Sequence, residues 1–541
     1  MKKNKRDKMV FSLLAAALLF TPLIAVENIS ADKEIEFSPK TIEGISGNSV
    51  ATNNAGEWVI MFYQCGDNAL SSGISVCLDF IKKIGATDAV KIAVLIDKKP
   101  VNDTKLYYYE GTTPVEQEWP SESDLSDPDT LVSFAQKVKN DYPANHYCLE
   151  ITSNKGSGWQ GICYDEHGDE LMISMPELFD ALDVITENGC FKLDVLLIQT
   201  CLGGNLEFRY QVRQFCHYFV SYADCGLVGD FPFDQILAAL VADPMMTAEQ
   251  FAITIVEFFT PVQYQNIYQA LGATDETKLD ALADSIDDLS ALFLQNIDAY
   301  KGTIQSALDE TRRYGLQFNI DYYVDLEDFL GYLAIDDTEF LEIKERVLNC
   351  TEEAVVAKVT LDGHPSCGYN FYFPDEKDEY NNALRYTHAI PSSYEQTLFA
   401  GDTQWDEFLR EYLDLSSNTP PGVPTIEGSE RGKYTESQVY TLSAEDSQVD
   451  DVSFYIDWGD GSYKMVGSIS SGEEFSINHT WVLEGTYEIK AKAIDQYGAN
   501  SDWATLTVKM SLRSRTLLER IMEWIQHLLN QFNIFSYKIM I

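Results

Sequence analysis

One cysteine in this sequence occupies a position that suits nucleophilic chemistry. Cys201 follows an apolar run at residues 193–199 and precedes two glycines and a segment, residues 205–215, whose spacing predicts a helix. The dipole and the free N–H groups of a helix N-terminus lower the pKa of a nearby thiol and favour the reactive thiolate. Backbone N–H groups of the glycines could also face an oxyanion. The alternative is an inert buried cysteine that packs as a small hydrophobe.

The elements that must position this thiol are buried strands. Four apolar runs are rich in Val, Ile, Leu or aromatic residues and bounded by Gly, Asp or Asn, and segments with helical periodicity, such as residues 131–138 and 175–185, lie between them. This alternation predicts an α/β fold with a mostly parallel sheet covered on both faces. Sites in such sheets form beyond the carboxyl ends of the strands, where Cys201 is expected. The runs span residues 58–63, 91–96, 147–152 and 193–199.

The sequence from residue 235 to residue 415 predicts more helices than strands. Residues 235–355 favour mainly helices, with long acidic amphipathic stretches. Extended segments are predicted at residues 354–361 and 368–373, and a helix at residues 405–413. The Ser-, Asn-, Pro- and Gly-rich run that follows, residues 416–424, predicts a linker.

Residues 425–510 alternate apolar and polar side chains between turn signals, which predicts an antiparallel β-sandwich. Strands are expected over residues 438–444, 452–458, 474–479, 486–494 and 503–509. This segment resembles PKD-type immunoglobulin-like domains. The motifs that carry the resemblance are Trp458-Gly459-Asp460-Gly461, His479-Thr480-Trp481, Gly485-Thr486-Tyr487 and Asp495-Gln496-Tyr497-Gly498.

Both ends of the chain suggest roles outside the folded core. Residues 1–31 combine a Lys-rich start with a short apolar run, which predicts a cleaved signal peptide and a secreted or cell-surface protein, with an uncleaved membrane anchor as the alternative. Residues 32–55 are predicted to be a linker. Residues 511–541 predict an amphipathic helix that docks onto protein or associates with a membrane interface. No segment after the signal peptide is apolar enough to span a bilayer.

The composition narrows the classes of partner. The 541 residues carry a formal net charge of −46, and such a surface repels nucleic acid and anionic membranes. The ten cysteines show no paired Cys-x-x-Cys spacing and the seven histidines do not cluster, so no zinc site is expected. Acidity alone does not establish a calcium site, although calcium stays open as a cofactor.

The segment over residues 56–415 resembles the clostripain family of cysteine peptidases. The resemblance implies a caspase-like αβα sandwich with a helical region, a peptide or protein substrate, and a catalytic dyad of histidine and cysteine. The cysteine position of the dyad is Cys201. The motifs that carry the resemblance are Gly66-Asp67-Asn68-Ala69-Leu70, Asn154-Lys155-Gly156-Ser157-Gly158-Trp159, Gln199-Thr200-Cys201-Leu202, Gly368-Tyr369-Asn370-Phe371-Tyr372-Phe373-Pro374 and Thr403-Gln404-Trp405-Asp406-Glu407-Phe408-Leu409.

Two positions depart from the family pattern. Lys155 stands where the dyad has histidine. A lysine side chain has a pKa of about 10.4 and is already protonated at neutral pH, so it is a poor proton shuttle. Gln199 replaces the aspartate that helps to attract a basic P1 side chain and keeps only hydrogen bonding. Asp224 is a candidate for supplying the missing charge. Gly156 and Trp159 complete the expected substrate-binding set.

Three other residues are candidate partners for Cys201. His146 begins the strand that leads to Lys155 and is expected some 25–30 Å away, at about 3.3 Å per residue. His167 follows a loop that could fold over the site, with a solvated loop histidine as the alternative. Cys65 ends a neighbouring strand, where a disulfide to Cys201 would block the thiol, although the sequence does not establish the distance.

Two functional hypotheses follow from these residues. In the first, the protein is a catalytically impaired homologue that binds peptides or surface ligands through the family's fold. In the second, it is an active cysteine endopeptidase that uses Cys201 with altered specificity.

Overall fold

The computed structural model describes most of the chain after residue 55. The described residues are 56–153, 158–167, 172–227, 229–265, 267–316, 322–361, 363–380, 394–415, 418–460, 462–495, 497 and 499–511. The predicted signal peptide, the first linker and all of the tail except residue 511 lie outside this set, as do Lys155 and Gly156.

A nine-stranded sheet forms the centre of the larger domain. Its order is β9-β8-β7-β6-β5-β1-β2-β3-β4, and the five strands from β7 to β2 run parallel while both edges are antiparallel. The strands are β1 (Gly56–Gly66), β2 (Val90–Lys98), β3 (Lys105–Glu110), β4 (Thr113–Gln117), β5 (Ala144–Thr152), β6 (Leu193–Gln199), β7 (Cys216–Tyr222), β8 (Ala270–Asp275) and β9 (Val355–Thr360). The mostly parallel sheet predicted from the apolar runs is therefore present.

The register of the central strands aligns their carboxyl ends. Gln64 of β1 lies opposite Thr152 of β5, and Thr152 lies opposite Gln199 of β6. Side chains of one strand alternate between the two faces of a sheet, so these three residues share a face. The sheet thus sets three polar side chains in a row at the edge where sites form.

Helices cover both faces of the sheet, which confirms the predicted αβα arrangement. Helices α1, α5 and α6 pack on the face that carries Trp58 and Phe62, and α2, α3 and α4 pack on the face that carries Met61 and Leu196. The remaining helices form the helical region, with its own aromatic core around Trp405. The helices are α1 (Val76–Ile84), α2 (Pro128–Asp141), α3 (Met175–Ile185), α4 (Leu206–Val212), α5 (Phe233–Ala242), α6 (Ala248–Phe258), α7 (Leu279–Gln295), α8 (Ile297–Glu310), α9 (Leu326–Tyr332), α10 (Thr338–Ala354), α11 (Leu398–Asp402) and α12 (Trp405–Tyr412).

Local signals explain where several helices begin. The Ser174 hydroxyl accepts a bond from the Glu177 amide while the Glu177 carboxylate accepts one from the Ser174 amide, so that α3 starts with a capping box. Asp127 caps α2 in the same sense by accepting a bond from the Asp129 amide. These polar caps satisfy backbone donors that the first helical turn leaves unpaired.

A second, all-β domain follows at the carboxyl side. One sheet has the order β10-β12-β15 and the other β11-β17-β16-β13-β14, and Trp458 and Trp481 are buried in their shared core. This is the predicted sandwich. Its strands are β10 (Thr425–Gly428), β11 (Arg431–Gly432), β12 (Gln438–Ser443), β13 (Val452–Asp457), β14 (Tyr463–Ile469), β15 (Phe475–His479), β16 (Gly485–Asp495) and β17 (Ala504–Met510).

The sequence patterns located some elements and missed others. The strand at residues 193–199 and the helix at residues 175–185 have the predicted bounds. Strand β7 was missed because its run directly follows a predicted helix, and β8, Ala-Leu-Gly-Ala-Thr-Asp, carries weak β propensity. Within the described residues, no helix combines the length and apolarity that a membrane crossing requires.

Candidate active site

Cys201 lies in a turn just beyond β6, half-buried. The turn is held against the end of β7 and the residues that follow it, because the Leu202 amide donates to the Asp224 carbonyl at 2.8 Å and the Gly204 amide donates to the Tyr222 carbonyl at 2.7 Å. Residues 202–205 separate the thiol from α4, whose first residue is Leu206. The thiol is therefore at the predicted strand end, although it does not directly abut the helix N-terminus.

A buried asparagine fixes the position of this turn. The Asn370 side-chain amide donates to the Ala223 carbonyl at 2.7 Å and to the Leu202 carbonyl at 3.3 Å. Its oxygen accepts a bond from the Asn205 side-chain amide at 3.0 Å, and the Asn205 oxygen caps α4 through the Phe208 amide. The fully buried Asn370 therefore joins the turn, β7 and α4 into one hydrogen-bonded unit.

A cleft with a cavity volume of ≈ 80 Å³ opens beside the thiol. The polar part of its lining comes from the aligned ends of β1, β5 and β6, and Leu70 and Ile74, after β1, contribute apolar wall. Other apolar contacts come from Leu227 and Phe233. The cleft thus combines apolar walls with a small number of placed polar groups, as ligand sites do. The polar lining residues include Gln64, Thr152, Ser153, Gln199, Cys201 and Tyr222.

Beneath the polar end of this cleft lies a carboxyl group that the sequence patterns did not single out. Glu150 of β5 is fully buried and accepts bonds from the Gln64 and Gln199 amides, each at 2.5 Å, and from the Thr152 hydroxyl. Burial raises the pKa of Glu150 to about 8, although the hydrogen bonds from these donors favour the ionised form and lower the pKa. An acidic residue inside an otherwise apolar strand was the signal available in the sequence.

Two side chains from the β7 side approach the thiol. The Cys225 thiol is hydrogen-bonded to that of Cys201, and burial, reinforced by this contact, raises the pKa of the Cys225 thiol. Burial also raises the pKa of the Tyr222 hydroxyl well above its usual range. The Tyr222 hydroxyl donates to the Asp230 carboxylate. A neutral thiol and a neutral phenol therefore border Cys201 on this side.

The other predicted substrate-binding residues have different surroundings. Gln199 lines the cleft, and its predicted role as a P1 contact stays a prediction. The Asp224 carboxylate accepts bonds from the Gly315 and Tyr268 amides and does not line the cleft, so its position does not support the predicted role in attracting a basic side chain. Trp159 is 1% exposed and packs edge-on against Tyr372 and Tyr394, which makes it a core residue rather than a surface contact.

None of the described histidines lines the cleft. The His146 ring bonds the Asp194 carboxylate at 2.7 Å near the start of β5, at the opposite end of the sheet. The His167 ring bonds the carboxylate of Asp67, which follows β1. Neither residue is placed to take a proton from Cys201.

Cys65 is separated from Cys201 by a strand. It lies on β1, next to β5 rather than β6, and its thiol donates to the Tyr164 carbonyl at 3.2 Å. Both cysteines are free thiols. No disulfide therefore joins these two described residues.

Cys201 lies beyond a central parallel strand of an αβα sandwich, and a cleft opens at the same edge of the sheet. The sequence model of the clostripain family matches residues 62–412, and the chain belongs to that family. A PKD domain model matches residues 429–508.

Known relatives are similar over parts of the chain. Clostripain of Hathewaya histolytica is 25% identical over 246 residues, which cover 38% of this chain and 45% of that protein. The chain therefore spans less than half the length of this curated relative in the match.

Solved structures match over a larger share of the chain. An inactive zymogen C11 protease from Parabacteroides distasonis is 20% identical and has a TM-score of 0.48, covering 65% of this chain and 99% of that one. A secreted C11 cysteine protease from Bacteroides thetaiotaomicron, solved with an irreversible peptide inhibitor, has the same identity and TM-score and covers 65% of this chain and 100% of that one.

Proposed function

We propose that this protein is a secreted, catalytically impaired clostripain homologue that binds peptides in the cleft beside Cys201. The observation that carries the proposal is the absence of a histidine from the described lining of the cleft, together with Lys155 at the family's histidine position. Acyl transfer needs a group that removes the thiol proton and then protonates the leaving amine. An ordinary protonated lysine has no free electron pair for the first of these steps.

The polar end of the cleft supports binding of a side chain that donates hydrogen bonds. Because Gln64 and Gln199 donate to Glu150 through their nitrogens, their amide oxygens are left as acceptors. Both glutamines line the cleft. Lysine and arginine side chains carry only donors, so they match this end of the cleft better than an acidic side chain does. Glu150 then acts as a positioning residue behind the two amides.

The decisive experiment separates binding from turnover. The purified mature protein is titrated with peptides that end in Lys, Arg, Gln or Glu, and the same peptides are followed for cleavage. We expect saturable binding of the Lys and Arg peptides with little or no cleavage. Lys155→His should raise any cleavage that depends on Cys201, since general acid–base assistance is typically worth about 10²–10⁴-fold.

Matched variants test whether the gained cleavage depends on Cys201 and on the position of the added histidine. Cys201→Ala in the Lys155→His background should remove the gained activity, whereas Cys190→Ala, at an exposed cysteine, should leave it. Lys490→His on the C-terminal sandwich controls for an added histidine. Gln199→Asp would place a second carboxylate against that of Glu150, and like charges repel.

An active endopeptidase is the second candidate function. It is favoured by the half-buried state of Cys201, because a thiol beside an open cleft can reach a peptide where a buried one cannot. Robust cleavage by the wild-type protein that disappears in Cys201→Ala would establish this candidate and reject the impaired one.

A further inference from the structure

We propose that Cys225 is a resolving thiol for Cys201, so that the two cysteines become joined by a disulfide when Cys201 reacts with a low-molecular-weight disulfide. A resolving thiol displaces the group that has become attached to a first cysteine, and it must therefore lie beside that cysteine. Both thiols are free in the structure. The assignment does not depend on whether the cleft binds peptides or cleaves them.

The backbone sets the two cysteines opposite each other. The Leu202 amide donates to the Asp224 carbonyl at 2.8 Å. Further along the turn, the Gly204 amide donates to the carbonyl of Tyr222, which comes earlier in the other segment, so the two segments run antiparallel here. The residue before Leu202 therefore stands opposite the residue after Asp224, and these residues are the two cysteines. Directly opposite residues have Cβ atoms about 4.5–5.5 Å apart, close to the roughly 3.5–4.5 Å found in disulfides.

The side chains of the two cysteines are also in contact. The Cys225 thiol is hydrogen-bonded to the Cys201 thiol. Asn370 holds both segments in place, because its side-chain amide donates to the Leu202 carbonyl at 3.3 Å and to the Ala223 carbonyl at 2.7 Å. The two sulfur atoms are therefore kept near each other, which favours reaction between them over reaction with a second small molecule.

The surroundings of the two thiols set the order of the reaction. Cys201 is half-buried and lines the cleft, whereas Cys225 is 0% exposed. A small disulfide from solution therefore meets Cys201 first. Burial raises the pKa of the Cys225 thiol, so Cys225 is a poor target for direct oxidation. The Asp224 carboxylate is also bonded to the Cys225 thiol and provides an acceptor for its proton.

Two exchange steps account for the bonds, electrons and protons. In the first step, the Cys201 thiolate attacks one sulfur of the small disulfide, whose S–S bond breaks, and one small thiol leaves with the proton that Cys201 has given up. In the second step, the Cys225 sulfur attacks the Cys201 sulfur, the mixed disulfide breaks, and the second small thiol leaves with the proton of Cys225. The protein loses two electrons and two protons, and the oxidant is reduced to two thiols.

The product has no free thiol at Cys201, so oxidation would block any nucleophilic chemistry in the cleft until a reductant restores the pair. Cys77 offers a matched comparison within the same site. It also lines the cleft and is 8% exposed, but it lies on α1 and does not share the backbone register that sets Cys225 opposite Cys201.

The test follows the thiols of the full mature chain after reduction and removal of the reductant. Glutathione disulfide is added, the remaining thiols are blocked at timed intervals, and the protein is digested without reduction for mass spectrometry. Trypsin cleaves after Arg209 and Arg213, so the disulfide joins two separate peptides. Chymotrypsin cleaves after Tyr222 and separates Cys225 from Cys216. We expect the wild type to accumulate the Cys201–Cys225 disulfide with little glutathione left on Cys201.

Three variants separate the two exchange steps. Cys225→Ser should hold at least about tenfold more glutathione on Cys201 than the wild type does at equal times, since the displacing thiol is lost. Cys201→Ala should leave Cys225 unmodified, because Cys225 is buried. Cys77→Ala should behave as the wild type. Circular dichroism checks that each variant folds, and Cys225→Ala replaces the serine variant if that one does not.

Three results would overturn the assignment. Equal amounts of glutathione on Cys201 in the wild type and in Cys225→Ser would show that Cys225 does not displace it. A disulfide from Cys201 to Cys77 would identify a different partner. A wild-type protein that does not react with glutathione disulfide would show that Cys201 is closed to small disulfides.

Discussion

Glu150 is a carboxylic acid placed where the pattern of its strand predicts an apolar side chain. Its neighbours on the same face of the sheet are buried, and the carboxyl group faces two glutamine amides and a threonine hydroxyl instead of water. The raised pKa means that the proton leaves only near pH 8. A cationic ligand in the cleft would favour the ionised form, because an opposite charge stabilises it.

Glu150 predicts a pH dependence of peptide binding. The affinity for a Lys-ending peptide should rise as the pH increases from about 6.5 to 9, since the ligand stays protonated up to about 10.4 while Glu150 ionises. Titration calorimetry across this range should also detect proton release. Glu150→Gln should bind with little pH dependence, and a wild-type affinity that does not change with pH would contradict the role assigned to this residue.

Glu150 also predicts a pH dependence of stability, in the direction opposite to that of peptide binding. Its folded-state pKa lies above the ordinary value of 4.5, so its contribution is fully present below about pH 4.5 and is lost as the pH rises through about 8. The free energy of unfolding of the wild type should therefore fall relative to Glu150→Gln over that interval, by at most about 1.4 kcal/mol per pH unit. Denaturant unfolding at pH 5, 6.5 and 8 measures the difference.

At the scale of elements, the turn that carries Cys201 depends on a distant segment. Phe371 and Tyr372 form a two-residue strand beyond Asn370, and this segment lies some 170 residues after the turn in the chain. Its backbone also pairs with the turn, since the Asn370 amide donates to the Gly204 carbonyl at 3.0 Å. The helical region therefore helps to hold the thiol in place.

Asn370→Ala should loosen this turn. Removal of the side chain leaves the Ala223 and Leu202 carbonyls without their buried donor, and such a loss costs about 1–3 kcal/mol in the free energy of unfolding. We also expect faster labelling of Cys201 by a thiol reagent, resolved from the other cysteines by peptide mass spectrometry. Asn349→Ala, at an exposed position on α10, should change neither quantity, and unchanged labelling in Asn370→Ala would argue against the anchoring role.

At the scale of the whole molecule, the linker between the two domains makes specific contacts. The Asn418 side-chain amide donates to the Asp495 carboxylate at 2.7 Å, and Tyr497 of the sandwich packs against the core of the helical region. The formal net charge of −46 favours solubility.

Export predicts a shortened mature chain. The Lys-rich start and the apolar run that follows are features of a cleaved signal peptide, so intact-mass analysis of the secreted protein should show loss of roughly the first 25–31 residues. Lys-to-Glu changes at the start should reduce secretion and leave the folded domains unchanged. Recovery of the full-length chain from the cytoplasm alone would contradict export.

The sequence by itself determined the class of fold, the order of the domains and the position of Cys201 at a strand end. These follow from local periodicity, turn residues and family motifs, which need no knowledge of distant contacts. Tertiary structure decided which side chains surround the thiol. In the folded protein the Asp224 carboxylate accepts bonds from backbone amides and Trp159 lies in an aromatic core. Glu150 lies beneath Gln199 and accepts a bond from its side-chain amide. Strand register and packing set these neighbours, and both depend on residues far apart in the chain.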